Sequence, residues 1–190
     1  MSPEGTEMAG ARQLTSATLR EQLGDGTLAG RWQLDGPGST VALRTRTMWG
    51  LMPVKGVFHT ATGEASVTGD GAVQARIEVL SASVDTKSAK RDVHLRSKDF
   101  FATDSHPSIV VEIDKVVPSA AGVTASGRLV VRGVANPIEL PLTVSSDGGG
   151  AVLLEGSVVV DRSLFGIDWN QMGMASTKTA IDVRARFTKL

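Results

Sequence analysis

The chain has 190 residues, enough for one domain, and its 20 Lys and Arg balance its 20 Asp and Glu. With no net charge, no Tyr and only 4% aromatic residues, it lacks the basic, aromatic-bearing face that nucleic acids select, so no nucleic-acid partner is expected. It has no cysteine, which excludes disulfides, thiolate catalysis and zinc sites built on Cys.

Residues 1–14 are rich in Gly, Glu, Ser and Pro and poor in apolar side chains, and are expected to form a disordered lead. Glu4 and Glu7 fall where a secretory leader would carry its apolar run, and no window approaches 18 apolar residues. A cytoplasmic location and no stable membrane insertion are therefore expected. Residues 15–29 read as a short helix and linker. In "TSATLREQLGDG", Thr15 or Ser16 caps the helix, Leu19 and Leu23 share a face, and Gly24 ends it. So short a helix is marginal alone, and its leucines should dock on the body of the protein.

From Arg31 the pattern changes to period 2. Val41, Leu43, Thr45 and Thr47 alternate with Arg44 and Arg46, and Val73, Ala75, Ile77 and Val79 with Gln74, Arg76 and Glu78. Ile109, Val111 and Ile113 oppose Glu112 and Asp114, and Ile181, Val183, Ala185 and Phe187 oppose Asp182, Arg184 and Arg186. This is the signature of strands with one wet and one dry face. Eight long strands are expected, at about 39–48, 53–60, 71–85, 107–116, 122–132, 136–145, 151–162 and 178–189. "TGDG", "SAAG" and "SDGGG" mark turns between them. Short connections imply antiparallel neighbours, and an all-β up-and-down barrel or a two-sheet sandwich satisfies them. The dry faces carry mainly medium and small side chains, which leaves a solid core and a central cavity both open.

The segment densest in reactive groups is "KRDVHLRSKDFFATDSHP", residues 90–107. His94 and His106 stand near Ser97, Ser105, Asp99 and Asp104, so a hydrolase reading is available, but there is no GxSxG elbow. No HExxH-type spacing favours a metal, and no cofactor is expected. Lys90, Arg91, Arg96 and Lys98 could clamp a phosphate, with Asp85, Asp92 and Asp99 as competing local partners. The structural alternative is a short helical lid near 88–98, capped by Ser88, with Val93, Leu95, Phe100 and Phe101 turned toward the body.

Several stretches, taken in order, carry a resemblance: "RWQLDGPGSTVALRTR", "VKGVF", "SVDTKSAKRDVHLRSKDFF", "HPSIVVEI", "GRLVVRGVANPIELPL" and "VDRSLFGIDW". Residues 30–189 resemble the YceI-like, polyisoprenoid-binding family. The resemblance implies that residues 30–190 form an eight-stranded antiparallel, lipocalin-like barrel. It also implies an apolar tunnel for an isoprenoid-type ligand: a polyprenyl chain, a prenyl phosphate or an isoprenoid quinone. Family members often carry His-Ser before the first long strand and a His within it. Gly38–Ser39 and Thr47 stand there instead, which would alter a headgroup contact.

The expected function is non-catalytic binding or carriage of such a ligand, in stress response or isoprenoid metabolism, with a homodimer as a further expectation. Rivals are a small hydrolase or isomerase using His94, and a solid barrel serving as an interaction module. Strand parity assigns the apolar wall. Val41, Leu43, Phe58, Ile77 and Val79 come from the first three strands. The central strands supply Ile109, Val111, Ile113, Leu129, Val131, Ile138, Leu140 and Leu142, and the last supplies Val183 and Phe187. Phe100, Phe101, Trp49 and Trp169 would shape the mouths, and Arg91 and Arg96 are the candidate headgroup partners.

Overall fold

The computed structural model describes residues 11–48 and 50–190. Residues 1–10 of the expected disordered lead, and Trp49, lie outside the described residues. The end of that lead is ordered. Arg12–Gln13 form β1, pairing with Ser146 and Ser145, and the Leu14 N–H donates to the Val144 carbonyl (2.8 Å). An edge that offers free backbone groups has drawn in these residues despite their polar composition.

Helix α1 (Ser16–Gly24) starts as expected: the Thr15 side chain accepts from the Thr18 N–H. The alternating segments then form β2 (Gly30–Leu34), β3 (Thr40–Thr47), β4 (Met52–Phe58), β5 (Ala61–Val67) and β6 (Val73–Leu80). Next come β7 (Val84–Asp85), α2 (Ala89–Arg96) and β8 (Ser108–Ser119). The chain ends with β9 (Gly122–Val131), β10 (Val134–Ser146), β11 (Ala151–Asp161) and β12 (Lys178–Lys189).

These segments make an eight-stranded barrel because the first three rungs are each broken once. β2 and β3 lie in line along one edge of β12, with Leu34 facing Phe187 and Thr40 facing Arg184. β4 and β5 continue one another on their far side, and β6 and β7 on the next. β8 to β12 are unbroken antiparallel neighbours. Because β12 pairs with β11 on one edge and with β2–β3 on the other, the sheet closes, and among the described residues no long edge is exposed.

Two of the three breaks are held by side chains. Between β2 and β3, the Ser39 hydroxyl donates to the Asp35 carbonyl (2.6 Å) and accepts from the Arg186 N–H (2.9 Å), while Arg186 Nη1 pairs with Asp35 (2.7 Å). Between β6 and β7, Ser81 is buried in a tight turn and donates to the carbonyls of His106 and Pro107. The single strand expected at 71–85 is therefore two. The strands β2 and β5 were not anticipated: β2 is short and runs into Asp-Gly-Pro-Gly, and β5 ("ATGEASV") is poor in strand formers.

The hairpin from β9 to β10 turns on Arg132 and Gly133, both at positive φ, as a two-residue type I′ turn demands. A bulge at Asp114 lets β8 pass Gly127, where a Cβ would stand 1.9 Å from the Glu112 carbonyl.

At the end of the barrel that carries α1 the interior is filled, and a separate cleft lies outside it between α1 and the rim. Leu19 of α1 is 2% exposed and packs among Ile113, Val123, Leu140, Leu142 and Val144. Beside it Trp32, Leu34, Ala185 and Phe187 form a second cluster. Among the described residues no helix is long and apolar enough to cross a membrane.

Candidate ligand-binding cavity

The other half of the barrel is hollow. A cavity of about 560 Å³ runs from mid-barrel to the end where α2 sits. Its wall is the period-2 dry face. β3 contributes Val41 and Leu43, β4 Val54 and Phe58, β6 Ile77 and Val79, and β8 Ile109 and Val111. β9 adds Leu129 and Val131, β10 Ile138 and Leu140, β11 Val158 and Val160, and β12 Ile181 and Val183. Most are β-branched or Leu, too short to meet across an eight-stranded barrel, whereas Trp32 and Phe187 lie at the level of the solid end. The deeper level is filled because Leu19 of α1 enters it and Trp32 and Phe187 lie there; among the described residues no such side chain crosses the cavity level.

Three residues expected on the cavity wall are elsewhere. Ile113 and Leu142 face inward on the right strands but one level too deep, in the cluster that Leu19 plugs. Phe187 packs against Trp32 in the neighbouring cluster. Val54, Leu95, Val158, Val160, Phe165, Ile167 and Ile181 line the cavity and were not singled out. Parity on β4, β11 and β12 would have found Val54, Val158, Val160 and Ile181. Leu95, Phe165 and Ile167 lie on α2 and on the turn after β11, where no strand rule applies.

Helix α2 covers the mouth as the expected lid. Ser88 occupies its N-cap position, but its side chain makes no capping hydrogen bond. Val93 points to solvent at 67% exposure; on a helix, Leu95 and Val93 cannot share the inward face, and Leu95 takes it. The turn that follows brings Phe101 edge-on to Phe58, with centroids 5.7 Å apart. It also sets Phe100 beside His94 and Trp169 at 5.0 and 5.4 Å. The His94 ring meets Trp169 edge-on at 4.6 Å, and its Nε2 lies 3.3 Å from Asp99. Phe100, Phe101, His94 and Trp169 all line the cavity.

The two candidate headgroup arginines are engaged with the protein. Arg91 borders the cavity, but its Nε donates to the Thr86 hydroxyl (2.7 Å) and its Nη2 to the Thr86 carbonyl (2.9 Å). Arg96 does not reach the cavity. Its Nε and Nη2 donate to the carbonyls of Ala82 and Val84, 2.8 and 2.9 Å away. Arg96 serves the backbone at the break between β6 and β7, and Arg91 holds Thr86 just after β7; neither pairs with the neighbouring aspartates. Of the positions where histidines were missing, Thr47 lies at the cavity mouth, whereas Gly38–Ser39 belongs to the Asp35–Arg186 junction.

A third arginine, not anticipated, is buried in the cavity wall. Arg162, 8% exposed, donates through Nε to the Ser176 carbonyl (2.9 Å) and through Nη1 to the Ile167 carbonyl (2.6 Å). Its Nη2 is buried without a hydrogen-bond partner, and its guanidinium carbon lies 5.7 Å from the Phe100 ring centroid. Burial pulls the guanidinium below its ordinary pKa, against the opposing charges of Asp168 and Asp161. Next to it, the Asp161 carboxylate sits well below the usual range, held by the Ser163 hydroxyl and by Lys178. Among the described residues no group of three His, Asp or Glu side chains is arranged to hold a metal.

Comparison with known proteins agrees with this geometry. A family model for the YceI-like domain matches residues 32–187. A UPF0312 protein of Photorhabdus laumondii subsp. laumondii is 28% identical over 124 residues; the match covers 64% of this chain and 65% of that protein. Among solved structures, BcnA of Burkholderia cenocepacia superposes with a TM-score of 0.72 at 20% identity, covering 80% of this chain and 98% of BcnA. A polyisoprenoid-binding domain from Saccharophagus degradans, implicated in plant cell wall breakdown, gives 0.70 at 17%, covering 84% and 98%. At these identities the two structures speak for the fold, and the family model covers most of the chain: this chain belongs to the YceI-like family.

Proposed function

We propose that this protein binds and carries an apolar, isoprenoid-type molecule in the barrel cavity, without transforming it. The observation that carries this reading is the cavity itself, about 560 Å³ bounded mainly by Val, Ile, Leu and Phe, with polar and charged residues such as Thr47, Lys90, Arg91 and Arg162 also lining it. It falls within the usual range for small-molecule pockets, roughly 300–1,000 Å³. Each CH₂ that enters contributes about 0.8 kcal/mol, so a chain burying ten of them gains about 8 kcal/mol before the cost of immobilisation. At water's share of liquid volume, about 30 Å³ per non-hydrogen atom, the cavity holds on the order of twenty such atoms. A polyprenyl chain, a prenyl phosphate or an isoprenoid quinone meets that description, and the likeness to a domain described as polyisoprenoid-binding supports the class. A role in stress response or isoprenoid metabolism belongs to the same proposal.

A rival reading makes the protein a hydrolase acting through His94, which stands beside the cavity with Asp99 at 3.3 Å. Among the described residues no hydroxyl is hydrogen-bonded to the His94 ring, so the nucleophile–base contact that such chemistry uses is absent from the arrangement. The cytoplasmic location and the homodimer expected from the sequence are separate proposals, decided by cell fractionation and by light scattering.

The test is to denature the purified protein, extract it with organic solvent and analyse the extract by mass spectrometry. A prenyl chain recovered in near one-to-one amount supports the reading. Empty extracts together with no uptake of farnesol or geranylgeraniol would overturn it.

A further inference from the structure

The inward residues of β11 run Val158 and Val160, and Arg162, which opens the turn directly after the strand, continues the series to the mouth. The alternation that builds the apolar wall therefore ends it with a guanidinium. Two of that group's three nitrogens hold the carbonyls of Ser176 and Ile167, which fixes its plane. The third, Nη2, is buried and unpartnered. Among the described residues no carboxylate forms an ion pair with Arg162, although ten pairs of Lys or Arg with Asp or Glu are found elsewhere. Asp168 and Asp161 oppose its charge only from beyond ion-pair distance, and a buried donor without an acceptor is costly. Phe100 covers the guanidinium, and His94 and Trp169 enclose Phe100, so this corner of the cavity is screened from water.

We propose that Arg162 is the headgroup donor of the cavity, its Nη2 taking an anionic oxygen, carboxylate or phosphate, of an amphiphile whose tail lies deeper along the barrel. This rests on the apolar-ligand reading above and adds the charge and the direction of the ligand. A neutral hydroxyl or carbonyl would satisfy the hydrogen bond, but the charge-assisted bond to an anion is stronger, so the site prefers an anion to its alcohol. The tail then runs past Val160 and Val158 toward Leu140 and Val183. Among the described residues Lys90 and Arg91 also border the cavity without a carboxylate partner, but both are exposed, and salt screens them more strongly than the buried Arg162.

The test uses the intact protein and two matched pairs, farnesyl phosphate against farnesol and palmitate against hexadecanol. Each ligand displaces N-phenyl-1-naphthylamine, a neutral fluorescent probe, at low and high salt. In at least one pair the anion should bind about ten- to a hundredfold tighter than its alcohol, the range of one charge-assisted hydrogen bond. Preference in the first pair alone identifies phosphate, in the second alone carboxylate, and in both a general anion site.

The preference should survive in Lys90→Gln and in Arg91→Gln, and fall to within about threefold in Arg162→Gln. Where Arg162→Gln does not fold, Lys90→Gln and Arg91→Gln decide together: a preference preserved in both supports the proposal, and one lost in either overturns it. Alcohols binding within about threefold of their anions in the unaltered protein would also overturn it, leaving Nη2 to water and the apolar-ligand reading intact. If none of the four ligands displaces the probe, the apolar-ligand reading falls, and the headgroup assignment with it.

Discussion

The buried carboxylate of Asp92 accepts two hydrogen bonds from Thr86, from its N–H at 2.9 Å and its hydroxyl at 2.6 Å. That pair fastens α2, the cover of the cavity, to the end of β7. Asp92→Ala leaves both Thr86 donors without their acceptor in a buried place, at a cost of about 1–3 kcal/mol. Urea unfolding should show the midpoint falling with little change in slope. An unchanged midpoint would mean the lid is held by its apolar contacts alone.

Arg91 and Arg96 should behave as structural arginines. Arg96→Ala strands the carbonyls of Ala82 and Val84, and Arg91→Ala removes two bonds to Thr86. Each should lower stability by more than the roughly 0.5 kcal/mol typical of surface changes. Melting temperatures equal to that of the unaltered protein would refute this.

The hollow and solid halves should respond oppositely to mutation. Leu142→Ala, in the solid cluster, should cost about 2–5 kcal/mol while leaving probe affinity in the folded protein unchanged. Val158→Trp fills space in the cavity instead; it should fold and lower probe affinity by tenfold or more, on the order of 1.4 kcal/mol. Thermal melts combined with probe titration read both.

Trp169 should report occupancy, since it lines the cavity and lies edge-on to His94. Saturating ligand should shift the emission of the protein, and Trp169→Phe should abolish most of that shift. A shift that persists in the variant would assign the signal to another tryptophan.

The Arg44–Asp182 ion pair joins β3 to β12 across the seam that closes the barrel, with Nη2 to Oδ1 at 2.8 Å. Arg44 holds the Asp182 carboxyl down to about 2. A lowered carboxylate pKa gives stability that is present above the unfolded value, about 3.9, and is lost as pH falls through the folded one. Between about pH 4 and 2, Asp182→Asn should therefore flatten part of the decline in melting temperature. Both groups are well exposed, so solvent screening limits the contribution to below about 1 kcal/mol.

Much of this was legible in local pattern. Period-2 alternation marked the long strands within a few residues, and Thr15, Leu19 and Gly24 bounded the first helix. The breaks at residues 35–39 and 81–83 were not legible, because they depend on Arg186, His106 and Pro107, which come from other parts of the chain. Nor was the role of Arg162: among alternating residues a charge reads as belonging to the wet face, and only the turn that folds Ser176 and Ile167 around it makes an inward guanidinium tenable.

The sequence by itself determined which side chains point inward, since that depends only on the two-residue period of each strand. It also determined that the wall would be apolar. Tertiary structure alone decided where the interior is filled and where it is hollow. Whether an inward side chain meets another depends on its level along the barrel and on what stands across from it: Leu19, Trp32 and Phe187 close one end, while Val41, Val111 and Val158 leave the other open. Period fixes direction, but filling is set by distances between strands far apart in the chain.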